Sequence, residues 1–385
     1  MARLLVRLFG RETSSGGFIP EIDGLRFFAI LLVVFYHINM FVAATSPVVA
    51  RSSPQDSWVA RIAGQGYLGV QLFFVISGFI LGAPFARRHL SGAPRVSLAS
   101  YFARRVTRIE PPYIIATTIL ALHSYLAGTS GSIRSIVPHF LASITYLHHF
   151  IFHERPIIYA GWSLEIEVQF YLLAPLLTYI FAVRKTGPRR IALVAAILLC
   201  SFAQFALQER YHDTLIGQLH FFLVGFILVD LFLNEWRSAE KYPWAWDLAA
   251  VGGWAVLLCG TGGEIVAQVI LPWAIFLLAG AAFRGHLWRA IVRNKVLFTI
   301  GGMCYTIYLY HSMILLPTAR RTIHHTVGGN YSVNVVFQFL VLAAPILLGS
   351  ALLFVMFEKP FMRRQWFWAV LRVLHISRTP AERGT

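Results

Sequence analysis

Charge is what this 385-residue sequence has least of: 13% of its residues are Asp, Glu, Lys or Arg, while 57% are hydrophobic. With a mean hydropathy of +0.64 the chain is too apolar for a soluble domain, and its apolar runs reach the roughly 20 residues that span a bilayer. Acids are scarcer than bases, 17 against 33, for a net charge of +16. That excess does not indicate a nucleic-acid partner, because the basic residues fall in short clusters between apolar runs, where they orient helices. Cysteine is nearly missing. Cys200, Cys259 and Cys304 lie in or beside apolar segments without metal-ligand spacing, so they read as packing residues, with no metal and no disulfide framework expected. No repeat period and no low-complexity segment is seen, and no appended soluble domain is expected. The opening stretch MARLLVRLFG is too short for a signal-peptide core with a cleavage site, and its arginines fit a retained cytoplasmic end.

What is present is a series of apolar runs. They predict an all-α, polytopic integral membrane protein with about ten transmembrane helices near residues 27–44, 67–85, 111–127, 162–183, 191–207, 215–233, 246–260, 264–282, 296–317 and 333–356. A further run at 136–152 carries Pro138, His139, His148 and His149 and is read as re-entrant or interfacial. Leaving it out of the count puts 26 of the 33 Lys and Arg on the side of both termini. Counting it as a span would send Arg184, Lys185, Arg189 and Arg190 outward, against the positive-inside rule. Both termini are therefore expected to be cytoplasmic.

Inside these runs stand groups that are expensive in hydrocarbon and so point to function. His37 lies within the first run and Arg26 at its entrance, eleven residues or about 16 Å of helix apart. The second run, GYLGVQLFFVISGFI, offers Gly69, Ser77 and Gly78, where a second helix or a flat ligand can approach the backbone; from spacing alone, plain helix packing is the favoured reading. In SYFARRVTRIEPPY, Arg104, Arg105 and Arg108 lead into Pro111 and Pro112, expected to end that helix. Arg105 and Arg108, three apart, share a face suited to bidentate phosphate contacts, or to anchoring on anionic lipid. GWSLEIEVQFYLLAPL carries Glu165 and Glu167 into the fourth span about one turn from its end, and His311 lies at a similar depth in the ninth. His37, Glu167 and His311 thus converge on one layer. A histidine beside a carboxylate is the arrangement of a general base acting on a hydroxyl, while the arginines face the side where a phosphate-bearing donor would be.

These segments, in this order, resemble the acyltransferase family 3 membrane proteins, which include bacterial O-antigen and exopolysaccharide O-acetylases. IDGLRFFAILLVVFYH is similar to the family's Arg-x10-His motif at Arg26 and His37. GVQLFFVISGFI and RRVTRIEPPY resemble its second-helix and arginine-pair motifs. WSLEIEVQFYLLAP matches its fourth-helix pattern at Trp162, Ser163, Leu164, Glu167, Gln169, Phe170 and Tyr171. GGMCYTIYLYHSMIL and FEKPF are similar to the closing signatures, with His311 and Glu358 at the matching places. Val168 stands where family members often carry a second acid, Cys304 where serine is common, and Glu165 is an acid the pattern does not call for.

The resemblance implies a cytoplasmic N-terminal segment (1–18), a membrane acyltransferase domain (19–361) and a basic cytoplasmic tail (362–385). It implies an O-acetyltransferase of the bacterial inner membrane. Acetyl-CoA or another acyl-CoA would be gripped by Arg104, Arg105 and Arg108, with His37 as general base or acyl carrier, Glu167 orienting it and Arg26 helping at the donor end. Ser77, Trp162, Tyr171 and His311 would line the substrate region. The acceptor is expected to be a hydroxyl of a glycan or lipid-linked sugar, or of a macrolide-type small molecule. The hydrolase-like domain that completes transfer in some relatives is not expected here, so transfer would finish within the membrane domain or on a separate partner. Two other readings stand beside this one. A proton-coupled transporter also places His and Glu in the bilayer, but its repeats and broken helix pairs are not evident. A metal site at His148, His149, His153 and Glu154 would rest on adjacent histidines, which are poor ligands together.

Overall fold

The computed structural model describes residues 9–10, 17–50, 52–54, 57–128, 132–207, 213–236, 240–260 and 264–362. Most of the N-terminal segment and nearly all of the basic tail lie outside the described residues. The described chain is helical, without strands: α1 (Pro20–Thr45), α2 (Trp58–Gly64), α3 (Gly69–Ser91), α4 (Leu98–Leu126), α5 (Ile133–Ile144), α6 (His148–Phe152), α7 (Trp162–Leu177), α8 (Thr186–Leu207), α9 (Leu215–Asn234), α10 (Pro243–Cys259), α11 (Glu264–Arg284), α12 (Leu287–Val292), α13 (Lys295–Gly302), α14 (Cys304–Thr322) and α15 (Tyr331–Leu353).

Among the described residues six segments are long and apolar enough to cross a membrane: Pro20–Thr45, Trp58–Ser91, Tyr159–Ala182, Thr186–Ala206, Leu215–Asn234 and Tyr331–Met362. The ten-span reading is carried by length and composition to these six. Segment 136–152 forms two short helices, α5 and α6, divided by Tyr146 in the left-handed region at φ 57°. The twelve residues of α5 reach only about 18 Å, short of the hydrocarbon thickness.

Three boundaries differ from the sequence reading, each for a local reason. Helix α1 starts at Pro20, with proline in its first turn and Glu21 and Asp23 beside its positive end, so Arg26 lies well inside the helix instead of at its entrance. Helix α4 does not end at Pro111 and Pro112 but runs through them to Leu126. Tyr305 of α14 donates to the Ile109 carbonyl (2.8 Å) beside the proline pair, the kind of partner that lets a membrane helix pass through proline. The 296–317 run breaks at Met303 into α13 and α14. There Gly301 lies against the backbone of Asp23, which allows α13 to pack on α1.

Helix α9 is the most enclosed of the six crossing segments, 78% buried against 28% for its neighbour α8. It crosses α3 with almost no gap: a Cβ on Gly78 would strike the Phe222 backbone, and one on Gly225 would strike the backbone of Val75 and Phe79. Phe222 stacks on Phe74 of α3 (4.7 Å between centroids) and Phe170 of α7 (3.9 Å), which draws the fourth-span helix into the same core. At the far end of α9, the wholly buried Asp230 accepts from Arg189 Nε (2.5 Å) and Arg190 Nη2 (3.0 Å), stapling α8 to α9. Such an interior charge persists because its partners replace water.

Replacing Gly225 with Leu should keep the protein from accumulating as a monodisperse species in detergent-solubilised membranes. Gly252→Leu on α10, where an added side chain meets open space, should leave the size-exclusion profile and yield unchanged.

Candidate active site

The site begins at a cavity of about 240 Å³ whose walls come from five helices. Arg104, Arg105 and Arg108 of α4 line one part of it; Arg26, Ser77, Glu167, Tyr171 and Cys304 line the rest, with Ser163, Tyr305 and Tyr308. All three arginines of the RRVTR stretch therefore border one space, but in different states. Arg104 is exposed. The Arg105 guanidinium lies over the Tyr101 ring (3.6 Å to its centroid) and donates to the Tyr101 carbonyl (2.7 Å), with Tyr171 at 5.7 Å. This leaves further donors of its five on the fork. Arg108 is 3.6 Å from the carboxylate of Glu358, which is fully buried and also accepts from the Thr306 N–H (3.1 Å) and hydroxyl (2.5 Å). The closing FEKPF signature is thus tied directly to the arginine motif. Arg26 donates to Asp23 (2.6 Å) one turn earlier on α1.

At the other end of the set, Ser77 donates to Glu167 Oε1 (2.5 Å). The two residues come from the second-helix and fourth-helix motifs, 90 positions apart. So the glycine-serine run serves two purposes: Gly78 admits α9, while Ser77 faces the cavity. Ser163 and Tyr308 share a hydrogen bond (2.6 Å), and the Tyr308 hydroxyl also donates to the Ala160 carbonyl. Neither His37 nor His311 borders the cavity.

The histidines form their own pair. His37 Nδ1 is 2.8 Å from the Val33 carbonyl and 3.3 Å from His311 Nε2, and the rings are 4.9 Å apart. His311 is fully buried, and its Nδ1 faces the Tyr308 (2.8 Å) and Ile307 (3.1 Å) carbonyls. Carbonyls only accept, so both Nδ1 atoms carry the proton. His311 Nε2 is then an acceptor for His37 Nδ1–H and for the Ser312 hydroxyl at 3.2 Å. In the neutral ring this tautomer places the lone pair of His37 on Nε2, and around the ring stand Tyr36 (5.3 Å) and Tyr159 (6.5 Å). Glu167, expected to orient His37, is hydrogen-bonded to Ser77 instead; the Val33 carbonyl and His311 hold the imidazole.

The other expected residues fall as follows. Tyr171 borders the cavity beneath Arg105, whereas Trp162 lies away from it with the Arg155 guanidinium 5.1 Å from its ring. Glu165 finds a structural place: it is buried and accepts from the His149 N–H (3.1 Å), capping α6. Nothing local in the sequence signals this contact, which joins residues 16 apart through a turn. Tyr308, in contrast, sits one helical turn before His311, a spacing that put it on the same face and was readable. Among the described residues no group of three or more His, Cys, Asp or Glu is placed to hold a metal.

The site thus combines a basic-mouthed interior cavity walled by five helices with a nearby imidazole held at its Nδ1. The chain belongs to the acyltransferase family: the family model described as an acyltransferase domain matches residues 19–355. It is 24% identical over 337 residues to the O-acetyltransferase OatA of Staphylococcus aureus strain NCTC 8325 / PS 47, covering 78% of this chain and 51% of that protein. OatA of strain MRSA252 matches to the same extent. The chain spans about half the length of these relatives. No solved structure matches it.

Replacing Glu165 with Ala should lower the stability of the purified protein by about 1 kcal/mol through loss of the α6 cap. Glu165→Gln, which keeps an acceptor oxygen, should melt close to the wild type in the same thermal unfolding measurement.

Proposed function

We propose that this protein is an O-acetyltransferase of the bacterial inner membrane, taking the acetyl group from cytoplasmic acetyl-CoA and delivering it to a hydroxyl of an extracytoplasmic glycan or glycolipid. The membership in the acyltransferase family and the names of its relatives support the reaction class. The bias of Lys and Arg toward one side supports an orientation with both termini and the arginine motif in the cytoplasm. The observation that carries the reading is the His37 imidazole, pinned at Nδ1 and open at Nε2.

In this reading the phosphates of the donor lie against Arg104 and Arg105, with Arg108 held back by Glu358 as the inner wall. The thioester arm enters the cavity toward Arg26, Ser77 and Glu167. The acceptor hydroxyl gives its proton to His37 Nε2 as its oxygen bonds to the acetyl carbon. The carbon–sulfur bond breaks, and the coenzyme leaves as thiolate to be protonated. His311 Nε2, accepting from His37 Nδ1–H, steadies the positive charge that gathers on the ring, a positioning role rather than a chemical one. Ser163 and Tyr308 line the cavity, with the Tyr308 ring centroid 6.3 Å from that of His311, so in this reading the thioester approaches His37 past this pair with the acetyl group still on sulfur.

His37→Ala and His37→Gln should each reduce acetyl transfer by roughly 10² or more while leaving the protein monodisperse. The measurement is release of coenzyme A thiol alongside mass spectrometry of cell-surface glycans from a deletion strain complemented with each variant. More than a tenth of wild-type transfer in either variant overturns the assignment of the base.

Arg105 is a cleaner probe of the donor than Arg108, since removing Arg108 also strands the buried Glu358 carboxylate. Arg105→Ala should raise the KM for acetyl-CoA roughly 10- to 150-fold, the equivalent of a charge-assisted contact of about 1.5–3 kcal/mol. Arg105→Lys should recover only part of this, because an ammonium lacks the planar fork that lies on Tyr101.

A further inference from the structure

A base that takes a proton must lose it before the next turnover, and the bonds around His37 restrict where that proton can go. The Nδ1–H of His37 faces the Val33 carbonyl and His311 Nε2, and the Nδ1–H of His311 faces the Tyr308 and Ile307 carbonyls. A carbonyl accepts a hydrogen bond but has no proton of its own to pass on, so this chain is a dead end and exchange is left to His37 Nε2. Two hydroxyls of the cavity wall are closed in the same way: Ser163 donates to Tyr308, and Tyr308 to the Ala160 carbonyl. In the orientation proposed above, the surroundings of His37 open toward the extracytoplasmic side. Tyr159 is exposed 6.5 Å from its ring, and Tyr36 leads to the exposed Tyr67 at 6.1 Å. Arg155, over the Tyr159 ring, has its charge offset by Asp213 (2.8 Å).

The inner side carries a charge barrier. Arg26 precedes His37 on α1 and Cys304 precedes His311 on α14, by about 16 Å and 10 Å of helix, so both helices set the wall of the arginine-lined cavity inward of the histidines. Arg26, Arg104, Arg105 and Arg108 line that cavity with Glu167; even with Asp23 on Arg26 and Glu358 on Arg108 included, these cations outnumber the anions four to three. The first residue of α14, Cys304, brings the positive pole of a helix to the same wall. Fixed positive charge and helix ends of this kind exclude protons from membrane passages.

We propose that acetyl transfer by this protein moves one proton outward per acetyl group: the proton taken from the acceptor hydroxyl leaves His37 Nε2 on the extracytoplasmic side, and the coenzyme takes its proton from the cytoplasm. The proposal rests on the O-acetyltransferase reading above. The acceptor O–H bond breaks as its oxygen bonds to the acetyl carbon, and that proton goes to Nε2. The carbon–sulfur bond breaks with its electron pair staying on sulfur. The thiolate, drawn back by the arginines, then takes one proton from the cytoplasm, because a thiol with a pKa of about 8.5 is protonated at neutral pH. Nothing is oxidised or reduced. One proton disappears inside and one appears outside, while the acetyl group itself carries no charge. Transfer is therefore electrogenic, and a potential negative inside opposes it.

The test uses sealed membrane vesicles with the cytoplasmic face inward, made from a deletion strain complemented with the full-length protein and carrying the native acceptors of the outer face. They are loaded with acetyl-CoA labelled in the acetyl group and with an impermeant pH dye. Transfer is read as label on outer-face material and proton movement as the lumenal dye signal, each taken as the difference from vesicles of the deletion strain; valinomycin with a roughly hundredfold potassium gradient in either direction sets the sign of the potential. The wild type should remove one lumenal proton for each acetyl group transferred, and its initial rate should be at least about threefold slower with the lumen negative than with the lumen positive. His37→Gln should lose label transfer and proton uptake together. Label transferred without loss of lumenal protons, the result if the imidazolium returns its proton to sulfur, would overturn the proposal. So would a rate indifferent to the sign of the potential, or proton uptake that persists in His37→Gln. Wild-type vesicles that transfer no label beyond the deletion strain would remove the acetyltransferase reading itself, and the coupling with it; that result is read from the label alone.

Discussion

An ionised group inside a bilayer must bring its own partner, and most of the tertiary organisation of this protein follows from that requirement. Arg26 is neutralised by Asp23 one turn away, Arg108 by Glu358 from the far end of the chain, and Arg189 and Arg190 by Asp230. Glu167 is given the Ser77 hydroxyl. Each pairing except the first joins different segments, so the charges that hydrocarbon would reject become the contacts that decide which helices are neighbours. Arg108–Glu358 ties α4 to the end of the last helix, and Ser77–Glu167 ties α3 to α7. The motifs that look scattered along the chain are the two halves of such pairs.

The apolar packing serves the same end. Glycines at the α3–α9 crossing bring the two backbones together. Phe74, Phe170 and Phe222 then stack across α3, α7 and α9. In a lipid solvent this close van der Waals fit, rather than hydrophobic exclusion, holds helices side by side. A rigid α3–α7–α9 core is what keeps Ser77 and Glu167 at hydrogen-bonding distance on the wall of the cavity. The irregular backbone, the break at Met303 and the π-helical turn at Phe354–Glu358, collects beside Cys304, Thr306 and Glu358, where a departure from regular helix turns polar groups into the interior.

The histidine pair shows how a proton position is set without a carboxylate. Two backbone carbonyls fix His311, and His311 with the Val33 carbonyl fixes His37, so one lone pair is left free at the end of the chain of bonds. A carboxylate at that position would hold the imidazole more tightly and raise its basicity further. Here Glu167 is spent on Ser77, and the site relies on geometry and burial.

Much of this was legible in the residues. The apolar runs announced an all-helical membrane protein, and the ordered motifs marked Arg26, His37, Ser77, Arg104, Arg105, Arg108, Glu167, Tyr171 and His311 before any contact was known, because a polar side chain in an apolar run stands out at any depth. Seven of those residues, with Arg26, Ser77 and Glu167 among them, line one cavity, a grouping that depth along the helices did not give, since depth alone puts Glu167 in one layer with His37 and His311. What the sequence alone could not contain is pairing across the bundle. Whether Glu167 meets His37 or Ser77 depends on the rotation of α7 about its axis, which the Phe170–Phe222 stack sets. Glu165 as the cap of α6, Asp230 as the staple of α8 and α9, and the continuation of α4 through two prolines likewise depend on neighbours tens or hundreds of residues away. Local sequence determines which residues enter the membrane; only the packing of helices decides which of them face each other.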